Sequence, residues 1–306
     1  MWGVDEPTTA MVRFRREALS GDLEAFYQLA LSYRSEFNDY AQAMTMLHEA
    51  ADHGHPGAIY EVADGMWHGR EMPMDQSKAL SYYMSAAQLG HAESQYEIGA
   101  AYADGIGVAR NEAKAMSWFI KAAEQGNSYA QVALADLLAK GVDGAPDHHA
   151  AANWYRKAAQ GGDDLGQRKL AQCYLTGKGV DRDAAQAVFW LRKAVDQRQP
   201  KAEAILAVLY LRGEGVPVDN GEALKLLRRS ATGGDAGAMI LLGDLLAKGE
   251  RTGADPAEAA IWYRRAADRG DAIAMRRLSA AAATPELARE WLQKAQQADL
   301  MKLQGE

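Results

Sequence analysis

A spacing of 36 residues constrains this chain more than any other feature. Glycine recurs at Gly54, Gly90, Gly126, Gly162, Gly234 and Gly270, and Arg198 fills the one missing place. Gly21 precedes Gly54 by 33 residues, so the first interval is three residues short. A fixed period in this range belongs to arrays in which each unit is too small to bury its apolar face alone. Neighbouring units must then supply one another's core. The period predicts one continuous array rather than the two or three domains that 306 residues would otherwise suggest. It also moves the question of function from a pocket to an extended surface.

Each boundary reads as the end of one helix and the start of another. The place after the glycine holds Asp22, Asn127, Asp163, Asp235 or Asp271 in five units, side chains that accept the orphan amide hydrogens of a helix start. Pro56 and Pro200 follow at the second place, where proline suits the first helical turn. The eighth place is apolar throughout, from Leu29, Val62 and Ile98 to Leu278. The ninth is small, with Ala30, Ala63, Gly99, Ala135, Ala171, Ala207, Gly243 and Ser279. The twelfth returns to large residues such as Tyr33, Met66, Tyr102 and Leu246. Apolar groups at i and i+4 make a buried helical stripe, and the small residue between them lets a partner helix approach closely.

At the fifteenth place stand Gly69, Gly105, Gly141, Gly177, Gly213 and Gly249, three of them followed two residues on by Gly107, Gly179 and Gly215. Glycine past an apolar-periodic segment terminates a helix. No strand precedes these loops and no Gly-Lys-Ser/Thr follows them, so they read as helix-to-helix turns rather than phosphate cradles. The second helix of each unit carries Ala79, Ala115, Ala151, Ala187, Ala223 and Ala259, then pairs such as Tyr82/Tyr83, Trp118/Phe119, Trp154/Tyr155 and Trp262/Tyr263. Aromatic residues at a fixed repeat position fill the seam between units.

The ends are atypical, as the ends of such arrays must be. "RFRREALSG" matches only the second half of a unit, which predicts a capping helix near residues 8–20. After Gly270 the first helix is expected to reach about Ala283, with Pro285 restarting the chain and "WLQKAQQAD" closing it. The count is one half unit, seven repeats and a shortened eighth, about 17 helices. The repeats are expected at about 22–54, 55–90, 91–126, 127–162, 163–198, 199–234, 235–270 and 271–299, within a single array over 8–302. Residues 1–7 are expected to be disordered.

These residues resemble the Sel1-like repeat, a relative of the tetratricopeptide repeat. The pattern is clearest over 92–126, in Ala92, Ile98, Gly99, Tyr102, Gly105, Gly107, Val108, Lys114, Ala115, Trp118, Phe119, Lys121, Ala122, Ala123 and Gly126. The resemblance spans about 13–299. The first repeat departs most, with "FNDYAQA" in place of a glycine loop, and the fifth loses its terminal glycine to Arg198. Similarity to this family implies an all-α, right-handed α/α superhelical solenoid of about eight helix pairs, with capping helices at both ends. It implies a non-enzymatic scaffold or adaptor that binds another protein through a concave groove. Two alternatives come with it: an immunity protein against a type VI secretion lipase effector, and a small-molecule sensor or regulatory subunit.

By the same resemblance, the first helix of each unit lines the groove. The inward places then hold Tyr27, Tyr60, Asp64, Trp67, Tyr96, Asp136, Arg168, Gln172, Leu211, Asp244 and Arg276, with Tyr129 nearby at the third place. Aspartates beside tyrosine and tryptophan suit a segment bearing Arg or Lys, and Asp64, Trp67 and Asp136 are the expected clamp. Charge points the same way. Residues 1–153 hold 21 acidic and 10 basic side chains, a balance of −11, while 154–306 hold 20 and 24, a balance of +4. The first half is suited to a basic partner, although uneven solvated charge is the plainer account.

Several classes are disfavoured. With no basic run, nucleic acid is a poor partner. No apolar stretch nears the roughly 20 residues of a membrane span, so insertion is not expected. The opening residues lack an apolar core, so as given they do not read as a secretory signal; a cytoplasmic location follows, or a periplasmic one if a signal has been removed. The lone Cys173 excludes an intramolecular disulfide, and with it the disulfide-rich branch of the family, and reads as a buried structural thiol. His48, His53, His55, His68, His91, His148 and His149 form no metal-ligand pattern, and His148 and His149 are expected in the loop after Pro146. His53, His55 and His91 flank helix boundaries. No nucleophile motif or assignable acid pair is present, so neither catalytic residue nor cofactor is expected.

Overall fold

A computed structural model describes residues 9–70, 72–142, 144–249 and 253–304. The expectation for residues 1–7 falls outside them. Among the described residues are 17 helices and no strand. They form two compact units, 1–154 and 155–306, the division falling within one helix after Trp154.

The N-terminal unit begins with α1 (Thr9–Leu19), the expected cap, followed by α2 (Leu23–Glu36), α3 (Tyr40–Asp52), α4 (Pro56–His68) and α5 (Gln76–Gln88). It continues with α6 (Ala92–Asp104), α7 (Glu112–Glu124), α8 (Ser128–Lys140) and the start of α9 (His148–Gln160). The C-terminal unit holds the rest of α9, then α10 (Asp164–Thr176), α11 (Ala184–Asp196), α12 (Pro200–Arg212) and α13 (Asn220–Thr232). It ends with α14 (Ala236–Lys248), α15 (Pro256–Ala267), α16 (Ala272–Ala280) and α17 (Pro285–Gln304). Within each unit a helix packs chiefly on its neighbours in sequence. The fold is the expected all-α repeat solenoid.

The boundary glycine works through its backbone. Gly54 has φ +85°, its N–H donates to Ala51 O at 2.9 Å, and the His55 N–H reaches back to Ala50 O at 3.0 Å. This paired arrangement needs a left-handed residue, where glycine is unstrained. His55, which closes α3 in this way, also caps α4 by accepting the Ala58 N–H on Nδ1 at 3.1 Å. One residue therefore serves two helices, and no linker separates them.

The same strict fit governs the interior. A Cβ built on Gly99 would lie 2.6 Å from the Phe119 ring, and one on Gly243 would lie 2.5 Å from the Tyr263 ring. The six alanines of the second helices are all buried, as are Tyr83, Phe119, Tyr155, Leu191, Leu227 and Tyr263. Aromatic seams thus belong to the core. Cys173 is buried on α10.

Three local expectations change. The first repeat needs no glycine because Asn38 takes φ +52°, and Asp39 then caps α3, which closes the turn in fewer residues. His148 and His149 open α9 instead of lying in a loop, because Asp147 caps that helix by accepting the Ala150 N–H at 2.8 Å. Finally, α16 stops at Ala280 rather than near Ala283. Pro285 disfavours helical geometry in the residue before it, and Thr284 Oγ1 accepts the Leu287 N–H at 3.3 Å to begin α17.

Candidate protein-binding surface

The first helices of the N-terminal unit place a tyrosine at the same turn three times. Tyr27 on α2 stacks on His55 with ring centroids 4.5 Å apart, and Tyr60 on α4 lies 4.9 Å from His91. Tyr96 on α6 lies 5.9 Å from Tyr129 and 5.8 Å from Phe119. In the first two cases the partner is the histidine that caps the next first helix. His91 Nδ1 accepts the Ser94 N–H at 3.3 Å, as His55 does for Ala58. His55 Nε2 lies 2.9 Å from Glu24 Oε2, so Nε2 carries the proton and Nδ1 is left to accept. Burial lowers the His91 pKa, although Glu93 and Glu61 oppose that effect.

A second group forms around Tyr83, which is buried on α5. Tyr60 lies 5.7 Å and Trp67 6.0 Å from its ring. Its hydroxyl donates to Asp64 Oδ1 at 3.5 Å. Asp64 also meets Arg70, in a short contact, and His68 Nε2 at 3.3 Å. Nearby, Arg34 on α2 pairs with Glu61 on α4 at 2.5 Å. An open cleft of about 860 Å³ runs beside these groups, lined by Arg34, Asn38, Tyr40, Tyr60, Glu61, Asp64 and Arg70 among others.

Burial and the surrounding carboxylates keep the tyrosines neutral. Tyr27 is pushed up to about 12 by burial and then by Glu61, while Tyr60 and Tyr83 are raised by burial and then by Asp64. Tyr96 is raised by burial and by Glu97. The Glu97 carboxyl is raised by burial and by the facing charge of Asp64. The surface can therefore offer neutral rings, hydroxyl donors and a surplus of negative charge. That combination suits a cationic, partly apolar segment.

The twelve sequence-derived candidates divide sharply. Tyr60, Asp64 and Trp67 gather around Tyr83; Tyr96 and Tyr129 form a pair, with Tyr129 64% exposed; Tyr27 sits on His55. Asp136 is half-buried on α8. The C-terminal five do not assemble into one site. Arg168 is half-buried and Gln172 exposed on α10. Leu211 is only 9% exposed and belongs to the apolar core. Asp244 is gripped by Arg277 and Tyr263, and Arg276 pairs with Asp299 of α17. Tyr83, Glu97, Arg70, Glu61 and the two capping histidines were not among the candidates. Glu97 had one usable signal: it lies as far beyond Asp64 as Arg277 lies beyond Asp244.

Among the described residues no helix is long and apolar enough to cross a membrane. The curated proteins compared with the chain gave no match. Among solved structures, it is similar to c5321, described as a protective antigen of uropathogenic Escherichia coli with an SLR fold, at 29% identity and TM-score 0.76. That match covers 94% of this chain and 64% of that one, so the chain spans a little under two thirds of that protein. A Sel1 repeat protein from Oxalobacter formigenes matches at 27% identity and TM-score 0.72, over 79% of this chain and 96% of that one. Immunity protein Pa5087 from Pseudomonas aeruginosa matches at 18% identity and TM-score 0.42, over 80% and 82%. The Sel1 repeat model matches residues 24–55, 56–91, 92–127, 128–163, 165–198, 200–235, 236–271 and 285–298. With its repeats matched over most of its length, this chain belongs to the Sel1 repeat family.

Proposed function

We propose that the protein is a non-catalytic interaction scaffold whose N-terminal unit binds a basic segment of another protein. The observation that carries this reading is the row of half-buried and exposed rings and carboxylates on α2, α4, α6 and α8. Tyr27, Tyr60, Asp64, Trp67, Tyr96, Tyr129 and Asp136 belong to it, in the half of the chain whose charge balance is −11. Rings with polar tips supply contact area at low entropic cost, and excess negative charge favours encounter with a cationic partner. Arg168, Gln172, Leu211, Asp244 and Arg276 are not included in the proposed surface, because they share no cluster.

The test is affinity capture with the full chain from lysate of the source organism, followed by dissociation constants for the purified partner. Asp64→Ala and Asp136→Ala are expected to weaken binding by about tenfold, while Asp181→Ala in the exposed α10–α11 loop leaves it unchanged. Equal losses at all three positions would sink the proposal. Rescue from a toxic effector encoded beside this chain would instead favour the immunity alternative.

A further inference from the structure

Asp64 and Asp244 occupy the same place in their repeats, yet the side chain 33 residues beyond each differs in sign. Asp244 accepts the Tyr263 hydroxyl at 2.7 Å, and Arg277 donates to both its oxygens at 2.7 and 3.0 Å. Tyr263 is 19 residues beyond the aspartate and Arg277 is 33 beyond it. The same offsets from Asp64 reach Tyr83 and Glu97. Tyr83 reaches its aspartate at a longer 3.5 Å, and a carboxylate stands at the place that Arg277 fills in the C-terminal unit. In sequence the third aspartate, Asp136, is followed at that offset by Lys169, so Glu97 alone reverses the sign.

The reversal leaves negative charge beside the rings. Glu61, Asp64, Glu93 and Glu97 all act on Tyr60, and Arg34 is already engaged by Glu61. Arg70 reaches Asp64 from the loop after α4 while its side chain stays 61% exposed. Exposed pairs of this kind are weak and readily exchanged. The cleft beside α4 opens onto Asp64, Tyr60 and Arg70, which gives an incoming side chain a path to the aspartate.

We propose that Asp64 and Glu97, beside the Tyr60 ring that lines the cleft, form a socket for an arginine side chain of the partner protein, with Arg70 as its displaceable internal occupant. This rests on the protein-binding reading above and names the residue type recognised. Arginine suits the place because its planar fork bonds both oxygens of a carboxylate, as Arg277 does on Asp244, and stacks on tyrosine faces. The Glu97 carboxyl, raised by burial and by Asp64, is a group whose charged form a facing cation favours.

The test titrates N-acetyl-arginine methylamide into the full chain, with the neutral citrulline analogue as control, and follows the NMR signals of Tyr83 and Trp67. The arginine compound is expected to shift both signals saturably and the citrulline compound neither. Arg70→Ala should tighten binding by about fivefold, the competition an exposed ion pair can mount. Glu97→Arg rebuilds the arrangement around Asp244, so it should stay folded by thermal unfolding while abolishing the response. Equal shifts by the citrulline compound, or an undiminished response in Glu97→Arg, would overturn the socket. A random dodecapeptide display library panned on the same chain separates the two readings. Selected peptides that depend on arginine and lose binding to Glu97→Arg support the socket. Peptides indifferent to Glu97→Arg overturn the socket and leave the wider surface standing; no binder and no arginine response overturn both.

Discussion

Arg277 holds Asp244 through both carboxylate oxygens, with Nε at 2.7 Å from Oδ1 and Nη2 at 3.0 Å from Oδ2, and so fastens α16 to α14. Burial by itself would raise the Asp244 carboxyl, but hydrogen bonds from Arg277 and Tyr263 outweigh it and hold the group below its usual range. A depressed carboxyl contributes stability that is complete above the unfolded value of about 4 and is lost as the pH falls below it. Arg277→Ala is expected to cost about 1 kcal/mol at pH 7, the pair being partly solvated. Urea midpoints at pH 7 and pH 3 should show that cost shrinking in acid. A pH-independent difference would mean that the arginine acts through packing alone.

His91 supplies the opposite kind of titration. Its neutral Nδ1 caps α6, and burial holds its pKa down against the pull of Glu93 and Glu61. The unfolded chain therefore binds the proton more readily, so this contribution is complete above about pH 6.5 and fades as the pH falls through and below that value. His91→Asn keeps a capping acceptor, as Asn127 provides for α8, but removes the titration. The variant should match the native protein at pH 7.5 and exceed it at pH 5. An unchanged pH profile would dismiss His91 as its source.

Arg198 occupies the one boundary without glycine, at φ +62°. A side chain in that conformation is strained by about 1 kcal/mol. Arg198→Gly should therefore raise stability by up to about 1 kcal/mol, read as a higher melting temperature. A fall would show that the attraction between Arg198 and the buried Glu203 outweighs the backbone strain.

Gly99 faces Phe119 with no room for a methyl group. Gly99→Val is expected to cost about 1–3 kcal/mol by overpacking. The double variant Gly99→Val/Phe119→Leu should recover part of that loss. Additive losses in denaturant titrations would refute the contact as the cause.

The fold was legible because its local signals repeat. Boundary glycines, capping aspartates, small ninth residues and paired aromatics each announce a backbone or volume requirement that recurs in most units. Asn38 escaped because asparagine, unlike glycine, gives a left-handed turn only by context. The proposed binding surface was only partly legible. Tyr27, Tyr60, Asp64 and Trp67 were found by position, but position carries no information about partners. It could not distinguish Asp244, closed by Arg277, from Asp64, whose matching place holds Glu97.

The sequence by itself determined the repeat, most of its helix limits and the repeating apolar places of its core, because these follow from local backbone preference and from an apolar period that each unit satisfies with its neighbours. Tertiary structure decided which polar residues of separate helices and loops face one another. Pairing Asp64 with Tyr83 and Arg70, stacking Tyr60 on His91 and burying Leu211 all depend on distances between helices. Coulombic and ring interactions act through such distances, and a periodic sequence specifies them only once its helices have packed.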